Sequence, residues 1–466
     1  MIRFPPEVVM NKTDEAVRRA RERSGEHLAL LKEIVTIPSV STDPERKADV
    51  ARAAVWMNDK LVEFGANETK IIATPGHPVV WAEFRASEPD AETILLYGHY
   101  DVQPVDPVEL WDTDPFTPTE RDGRLYARGA SDMKAQVMAC LLAVRTLVES
   151  NALGMTVRFL LEGEEEIGSP NLAGAIEANA DLFRAAVCLN LDSGMVGPGI
   201  PSIRYALRGL AYFDLTIRGP SRDLHSGGFG GVVHNPAQAL AELIAGMHNA
   251  DGSVALPGFY DRVREIDAEE HARAAAVPVS AEDLLAQSGV PALWGEKAFT
   301  PVERIGARPT LEINGIWGGY TGAGAKTVIP AEAHAKISTR LVPDQRHSDV
   351  HAQLAAYLTE NAPPTVTWEL RQLAGGEAFI CDPNSSYHKR FAAALTSVWN
   401  REPVFSRNGG SVPVAADLEQ ILGMPSVLSG FALPDDRVHS PNESQDIATW
   451  YQGIEAVIRF LAAESA

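Results

Sequence analysis

Seven side chains of the kinds that bind divalent metals stand at the ends of apolar runs or the starts of helical ones: His99, Asp101, Asp132, Glu165, Glu166, Asp192 and His439. Two imidazoles with several carboxylates and no thiolate suit zinc, manganese or cobalt better than magnesium or calcium, which favour all-oxygen shells. One catalytic zinc needs fewer carboxylates than this, and an unneutralised cluster of them would repel itself. A two-metal centre resolves both points: one carboxylate bridges, and each metal takes one histidine and one further carboxylate. Any one of these acids alone reads more simply as a helix cap or loop decoration; their joint arrival at strand ends reverses that judgement.

The elements that must position them follow from periodicity. Thr93 to Tyr97, Met155 to Glu162 and Ala185 to Leu191 read as buried strands that deliver His99 with Asp101, the Glu164-Glu165-Glu166 run, and Asp192. A helical pattern from Met133 to Ser150 puts Asp132 at a helix amino terminus, where free N–H groups favour a carboxylate. Further helices are expected at Asp14 to Val35, Glu45 to Phe64 and Asn171 to Ala180, and strands at Lys70 to Ala73 and Val79 to Phe84. Apolar strands alternating with helices predict an α/β fold with a mostly parallel sheet covered on both faces. After Ile203 the character changes. Alternating runs at Tyr205 to Arg218, Pro309 to Ile316, Ala333 to Leu341 and Thr365 to Leu373, with helical segments at Pro236 to Met247, Tyr260 to Ala275 and Ser348 to Glu360, predict an inserted α+β domain. The expected division is a catalytic domain in two parts, residues 1–204 and 376–466, around an insertion of residues 205–375. In the second part, helices are expected at Tyr387 to Asn400, Ala415 to Leu422 and Gln445 to Glu464, with a strand at Ser426 to Phe431.

Composition narrows the function. With 466 residues, two domains are the natural prior. Lys+Arg 41 against Asp+Glu 62 leaves a net charge of -21, which repels nucleic acid and anionic membranes. Cys140, Cys188 and Cys381 are scattered and odd in number, so neither a disulfide framework nor a thiolate metal site is indicated. The first residues lack a signal-peptide core and no run is long and apolar enough to span a bilayer, so a cytoplasmic enzyme is expected.

Four strings carry a resemblance: Gly98-His99-Tyr100-Asp101-Val102-Gln103-Pro104, Gly129-Ala130-Ser131-Asp132-Met133-Lys134, Glu164-Glu165-Glu166-Ile167-Gly168-Ser169 and Val438-His439-Ser440-Pro441-Asn442-Glu443. Together they resemble the signature set of the dinuclear zinc peptidases that include carnosinase, nonspecific dipeptidase, aminoacylase and the desuccinylases. The carnosinase and nonspecific dipeptidase branch is the most similar, because Tyr205 to Leu210, Ala325 to Pro330, Thr339 to Pro343 and Gly409 to Pro413 also agree.

The resemblance implies that Asp132 bridges two divalent ions, zinc above manganese or cobalt, with His99 and Asp192 completing one site and Glu166 and His439 the other. It implies that Asp101 orients the His99 ring and that Glu165 is the general base toward the attacking water. From spacing alone, any of the three consecutive glutamates could face the metals; the resemblance selects the last two and leaves Glu164 exposed or structural. It also implies a cis peptide between Asp132 and Met133. In the inserted domain it implies that His225 crosses a homodimer interface to stabilise the oxyanion in the partner's site, and that Arg340 clamps the substrate carboxylate, with hydrogen bonds from Thr327 and Ser411. One departure is plain. Carnosinase-like members carry a histidine just before the pair matching Gly375-Gly376, and this chain has Ala374 there, which argues against carnosine as substrate.

The expected activity is therefore hydrolysis of dipeptides with a free C-terminal carboxylate. An N-acyl amino acid deacylase or desuccinylase on the same centre is the alternative, and a binding protein that has lost hydrolysis is a third reading, disfavoured because every expected ligand and the base are present. Other signals fall away. His347 and His351 have helical zinc-pair spacing but lack the glutamate after the first histidine, and the glycine-rich stretch ending in Lys326-Thr327 lacks a P-loop's spacing. No GxSxG string or cysteine nucleophile motif offers covalent catalysis.

Overall fold

The computed structural model describes residues 11–410 and 412–462. The chain divides into two compact units. The first comprises the residues up to Tyr205, Cys381–Phe405 and those from Val414 onward; the second comprises Ala206–Ile380 together with Ser406–Pro413.

The first unit is built on a sheet whose central strands run parallel. Thr156–Glu162, Thr93–His99, Val187–Asn190 and Ser426–Leu428 lie side by side in that order, flanked by antiparallel Val79–Phe84 and Glu68–Ile72 on one edge. Nearly every residue of these central strands is buried, which is why they read as unbroken apolar runs: helices cover both faces. Lys134–Glu149 and Ile447–Leu461 supply much of that cover; the first is buried almost along its length, and Trp450 of the second donates its indole N–H to the Ala135 carbonyl at 2.7 Å. The expected α/β class with a largely parallel sheet is what the fold shows.

The second unit has a four-stranded antiparallel sheet in the order Thr310–Gly318, Glu332–Leu341, Gly209–Arg218, Thr367–Gly376. Burial in Gly209–Arg218 alternates strictly, so one face takes the core (Ala211, Phe213, Leu215, Ile217). Helices Pro236–Ala245 and His347–Asn361 cover that face with Leu240, Leu243, Leu354 and Leu358.

Several expected elements differ in extent. The single helix expected over Asp14 to Val35 is two, Lys12–Glu22 and Ser24–Val35, broken where Arg23 leaves helical geometry ahead of Ser24-Gly25. The strand expected from Tyr205 is split into Ser202–Leu207 and Gly209–Arg218; at Gly209 the Gly376 carbonyl comes within 2.6 Å of where a Cβ would stand. The helix expected from Tyr260 begins only at Ala268, after Asp267 caps it by accepting the Glu270 N–H at 2.8 Å. Asn171 to Ala180, expected as one helix, is Leu172–Ala178 followed by a short turn, Ala180–Phe183. The strand expected over Ser426 to Phe431 stops at Leu428.

Candidate metal centre

Sheet topology brings His99, Asp101, Glu165, Glu166 and Asp192 together. Thr93–His99 sits between Thr156–Glu162 and Val187–Asn190, and His99 is in register with Glu162. The chain leaves the central strand to pair on one side and then returns to pair on the other, so the crevice at its carboxyl end is a switch point of the kind where ligands bind. His99 ends its strand, and the loops after these three strands carry Asp101, Glu164 to Glu166, and Asp192. Ser426–Leu428, next in the sheet, leads into the loop that carries His439.

Asp132 is the hub. Its Oδ1 lies 3.2 Å from His99 Nε2 and its Oδ2 lies 2.9 Å from His439 Nε2. Glu166 Oε2 is 3.3 Å from the same His439 nitrogen, and Asp192 Oδ1 is 3.9 Å from His99 Nε2, with Glu165 Oε2 at 4.0 Å. Among the described residues, ligand atoms of His99, Asp132 and Glu166, and likewise of His99, Glu165 and Asp192, fall within 4.8 Å of one another. The peptide between Asp132 and Met133 is cis. Asp132 stands two residues ahead of helix Lys134–Glu149 rather than capping it.

Electrostatics test the fit of cations to this set. Burial pushes Glu165 up to about 9, with Asp192 adding to it, and burial pushes Asp192 up to about 7. Burial would also raise Asp132, but hydrogen bonds with His439 and His99 outweigh it and hold that carboxyl well below its ordinary range. Hydrogen bonding to Asp132 and Glu166 lifts His439 to about 10. Left to themselves these groups satisfy one another only by holding protons on both imidazoles and on some of the acids. Divalent cations would displace those protons, so the donor set fits them.

The supporting side chains are equally specific. His99 Nδ1 lies 3.1 Å from the Asp101 backbone carbonyl and 3.5 Å from its Oδ1, so Asp101 holds a proton on Nδ1 and Nε2 is the ring nitrogen that faces Asp132. The Asp101 carboxylate, fully buried, also accepts the backbone N–H groups of Glu165 at 3.3 Å and Glu166 at 3.1 Å. Gln103 donates to Glu166 Oε2 at 2.8 Å. Glu164 is buried and turned to other work: Oε1 accepts the His77 N–H at 2.9 Å, and both oxygens accept from Asn171. It is thus structural rather than exposed. Glu162, pushed up to about 8 by burial, accepts from Tyr97 and Ser169 hydroxyls and ties the strand to the end of the glutamate loop. Gln103 and Glu162 were missed because nothing in their spacing distinguishes them; each could have been found only from the hydrogen-bond geometry.

The remaining expected site residues belong to the second unit. His225 pairs with Val328 across the short ladder Leu224–His225 to Val328–Ile329, and its Nδ1 accepts the Gly227 N–H at 2.9 Å. The neutral ring therefore carries its proton on Nε2, as a donor. Thr327 is exposed, and its carbonyl accepts the Ser226 N–H at 3.0 Å. Arg340 lies on Glu332–Leu341 opposite Leu210 and Thr310. Burial, then the charge of Arg340, brings Arg208 down to about 10, and Arg208 Nε donates to the Gly409 carbonyl at 3.1 Å. Ser411 lies outside the described residues.

Comparison with known proteins agrees with this architecture. Residues 95–463 match the model of peptidase family M20/M25/M40. The chain is 32% identical to the Cys-Gly metallodipeptidase dug1 of Schizosaccharomyces pombe, covering 96% of this chain and 95% of that protein, and 30% identical to the human Beta-Ala-His dipeptidase, covering 98% and 93%. Among solved structures it superposes on the M20 family metallo-carboxypeptidase Sso-CP2 from Sulfolobus solfataricus with a TM-score of 0.84 at 33% identity, covering 94% of this chain and 99% of that one. It superposes on the di-peptidase Dug1p from Saccharomyces cerevisiae with a TM-score of 0.80 at 27% identity, covering 97% and 98%. A metal-competent cluster at a parallel-sheet switch point, in a chain matched over most of its length, leads to one conclusion: the protein belongs to peptidase family M20/M25/M40 and is a metallopeptidase.

Proposed function

We propose that the protein is a two-metal dipeptidase that hydrolyses dipeptides with a free C-terminal carboxylate. The observation that carries this is Asp132 set between His99 and His439, each within 3.2 Å of one of its oxygens, with Glu166 and Asp192 beside them. His99, Asp132 and Asp192 would hold one ion, and Asp132, Glu166 and His439 the other, with zinc the best match to this mixed nitrogen and oxygen set. Bound divalent ions would polarise the scissile carbonyl and bring the pKa of a coordinated water down to about 7. Glu165 takes the proton from the attacking water and returns it to the leaving amine. Arg340 grips the substrate carboxylate with its planar guanidinium, and Thr327 and Ser411 add hydrogen bonds. His225 of a second copy donates from Nε2 to the oxyanion, which makes the active form a homodimer. The inserted domain, residues 205–375 in the sequence reading, is then the lid and dimerisation domain. The relatives named as Cys-Gly and Beta-Ala-His dipeptidases support a dipeptide substrate, and Ala374 argues against carnosine. The three free cysteines accord with a reducing, cytoplasmic setting.

The test is a substrate panel. After chelation and reloading with zinc, manganese or cobalt, dipeptides are expected to turn over and N-acetyl and N-succinyl amino acids are not. Turnover of the acyl amino acids with every dipeptide inert would shift the assignment to a deacylase.

A further inference from the structure

Glu443 is fully buried, lies four residues beyond His439, and spends all its hydrogen bonds on one loop. Its Oε1 accepts the backbone N–H groups of Ser131 at 2.9 Å and Asp132 at 3.0 Å. Its Oε2 accepts the Gly129 N–H at 3.0 Å and Arg128 Nη1 at 2.7 Å. Gly129 can enter this turn because it sits at a φ of 81°, and a Cβ there would come within 2.7 Å of Val102. Arg128 also donates to the Pro104 carbonyl at 3.0 Å, so the same buried ion pair reaches the loop that follows His99 and Asp101. Asp436, on the near side of His439, accepts the Ser131 hydroxyl at 2.8 Å.

We infer that Glu443 is a positioning residue: its carboxylate fixes the main chain of Asp132 relative to the His439 loop and so sets the span over which Asp132 can bridge. The inference rests on the two-metal reading above. Its physical basis is that both oxygens face N–H donors. A glutamine at this position must turn its NH2 toward either the Ser131 and Asp132 amides or Gly129 and Arg128, leaving donor against donor in a buried site. The Asp132 turn would then shift, and with it the separation of the two histidine-bearing halves. Second-layer partners of this kind are worth roughly 10–100-fold in metal affinity or activity.

The experiment compares wild type, E443Q and E443D as full-length proteins, stripped of metal and titrated with Co2+ alone, following heat and the visible absorption of the bound ion, with folding checked by circular dichroism. Wild type is expected to bind two equivalents. Folded E443Q is expected to bind at least one of the two roughly 10–100-fold more weakly with an altered cobalt spectrum, and to lose kcat more than it raises KM. E443D, which keeps the charge but withdraws it by one methylene, should fall between the two. Should E443Q not fold, E443D carries the same readouts. A folded variant with wild-type affinities and spectrum would overturn the inference, whereas a wild type that binds fewer than two ions would overturn the two-metal reading itself.

Discussion

Asp132 presents its two carboxylate oxygens to two different histidines, Oδ1 to His99 Nε2 at 3.2 Å and Oδ2 to His439 Nε2 at 2.9 Å. The two histidines lie more than three hundred residues apart in sequence, His99 at the end of a strand and His439 in a loop. A single carboxylate shared between two imidazoles in this way is the geometry a bridging ligand requires. On the two-metal reading, replacing it removes both ions together: Asp132→Ala is expected to retain less than one metal equivalent by elemental analysis and to lose measurable hydrolysis. Retention of one tightly bound ion would assign Asp132 to a single site.

Asp101 and His99 should separate by metal content. His99→Ala removes a ligand and is expected to empty one site. Asp101→Asn leaves the ligands in place but puts an amide where the Glu165 and Glu166 N–H groups now find carboxylate oxygens. Its kcat is expected to fall roughly 10–100-fold with most metal retained. Equal metal loss in both variants would make Asp101 a ligand.

Much of this was legible in the sequence because strands with both faces covered must be apolar throughout, so the residue that ends such a run stands out. His99 and Asp192 were visible for that reason. Glu164, Glu165 and Glu166 were not separable from spacing, since consecutive residues in a turn have no fixed facing; their division depends on Asp101 accepting two of their amides and on His77 and Asn171 holding the third side chain. Glu443 was invisible for a related reason: three of its four donors are backbone amides, and backbone amides carry no sequence signal. Helix limits failed where a local cap outweighed an apolar pattern, as at Asp267.

Glu164 supplies a contrasting case. Glu164→Ala leaves the His77 N–H and the Asn171 amide without their buried acceptor, at a cost of about 1–3 kcal/mol in denaturant unfolding, while metal content stays at the wild-type level. Metal loss without loss of stability would mean that Glu164 is a ligand.

His27 predicts a pH dependence away from the metals. The ring is 1% exposed, neither nitrogen has a hydrogen-bond partner among the described residues, and burial lowers its pKa to about 4. Between pH 4 and 6.5 the unfolded chain therefore binds a proton that the folded chain refuses. Stability rises with pH through that window and is lost as pH falls, by roughly 3 kcal/mol in all. His27→Leu should flatten this slope relative to wild type in pH-dependent unfolding. Parallel slopes would show that the folded ring accepts the proton without penalty.

The most direct test of the central claim is anomalous diffraction from crystals of the zinc-loaded protein, recorded above and below the zinc edge. Two peaks are expected, one between Asp132 and the His99 and Asp192 side chains and one between Asp132 and the Glu166 and His439 side chains. A single peak, or two peaks that do not share Asp132, would contradict a bridged two-metal centre.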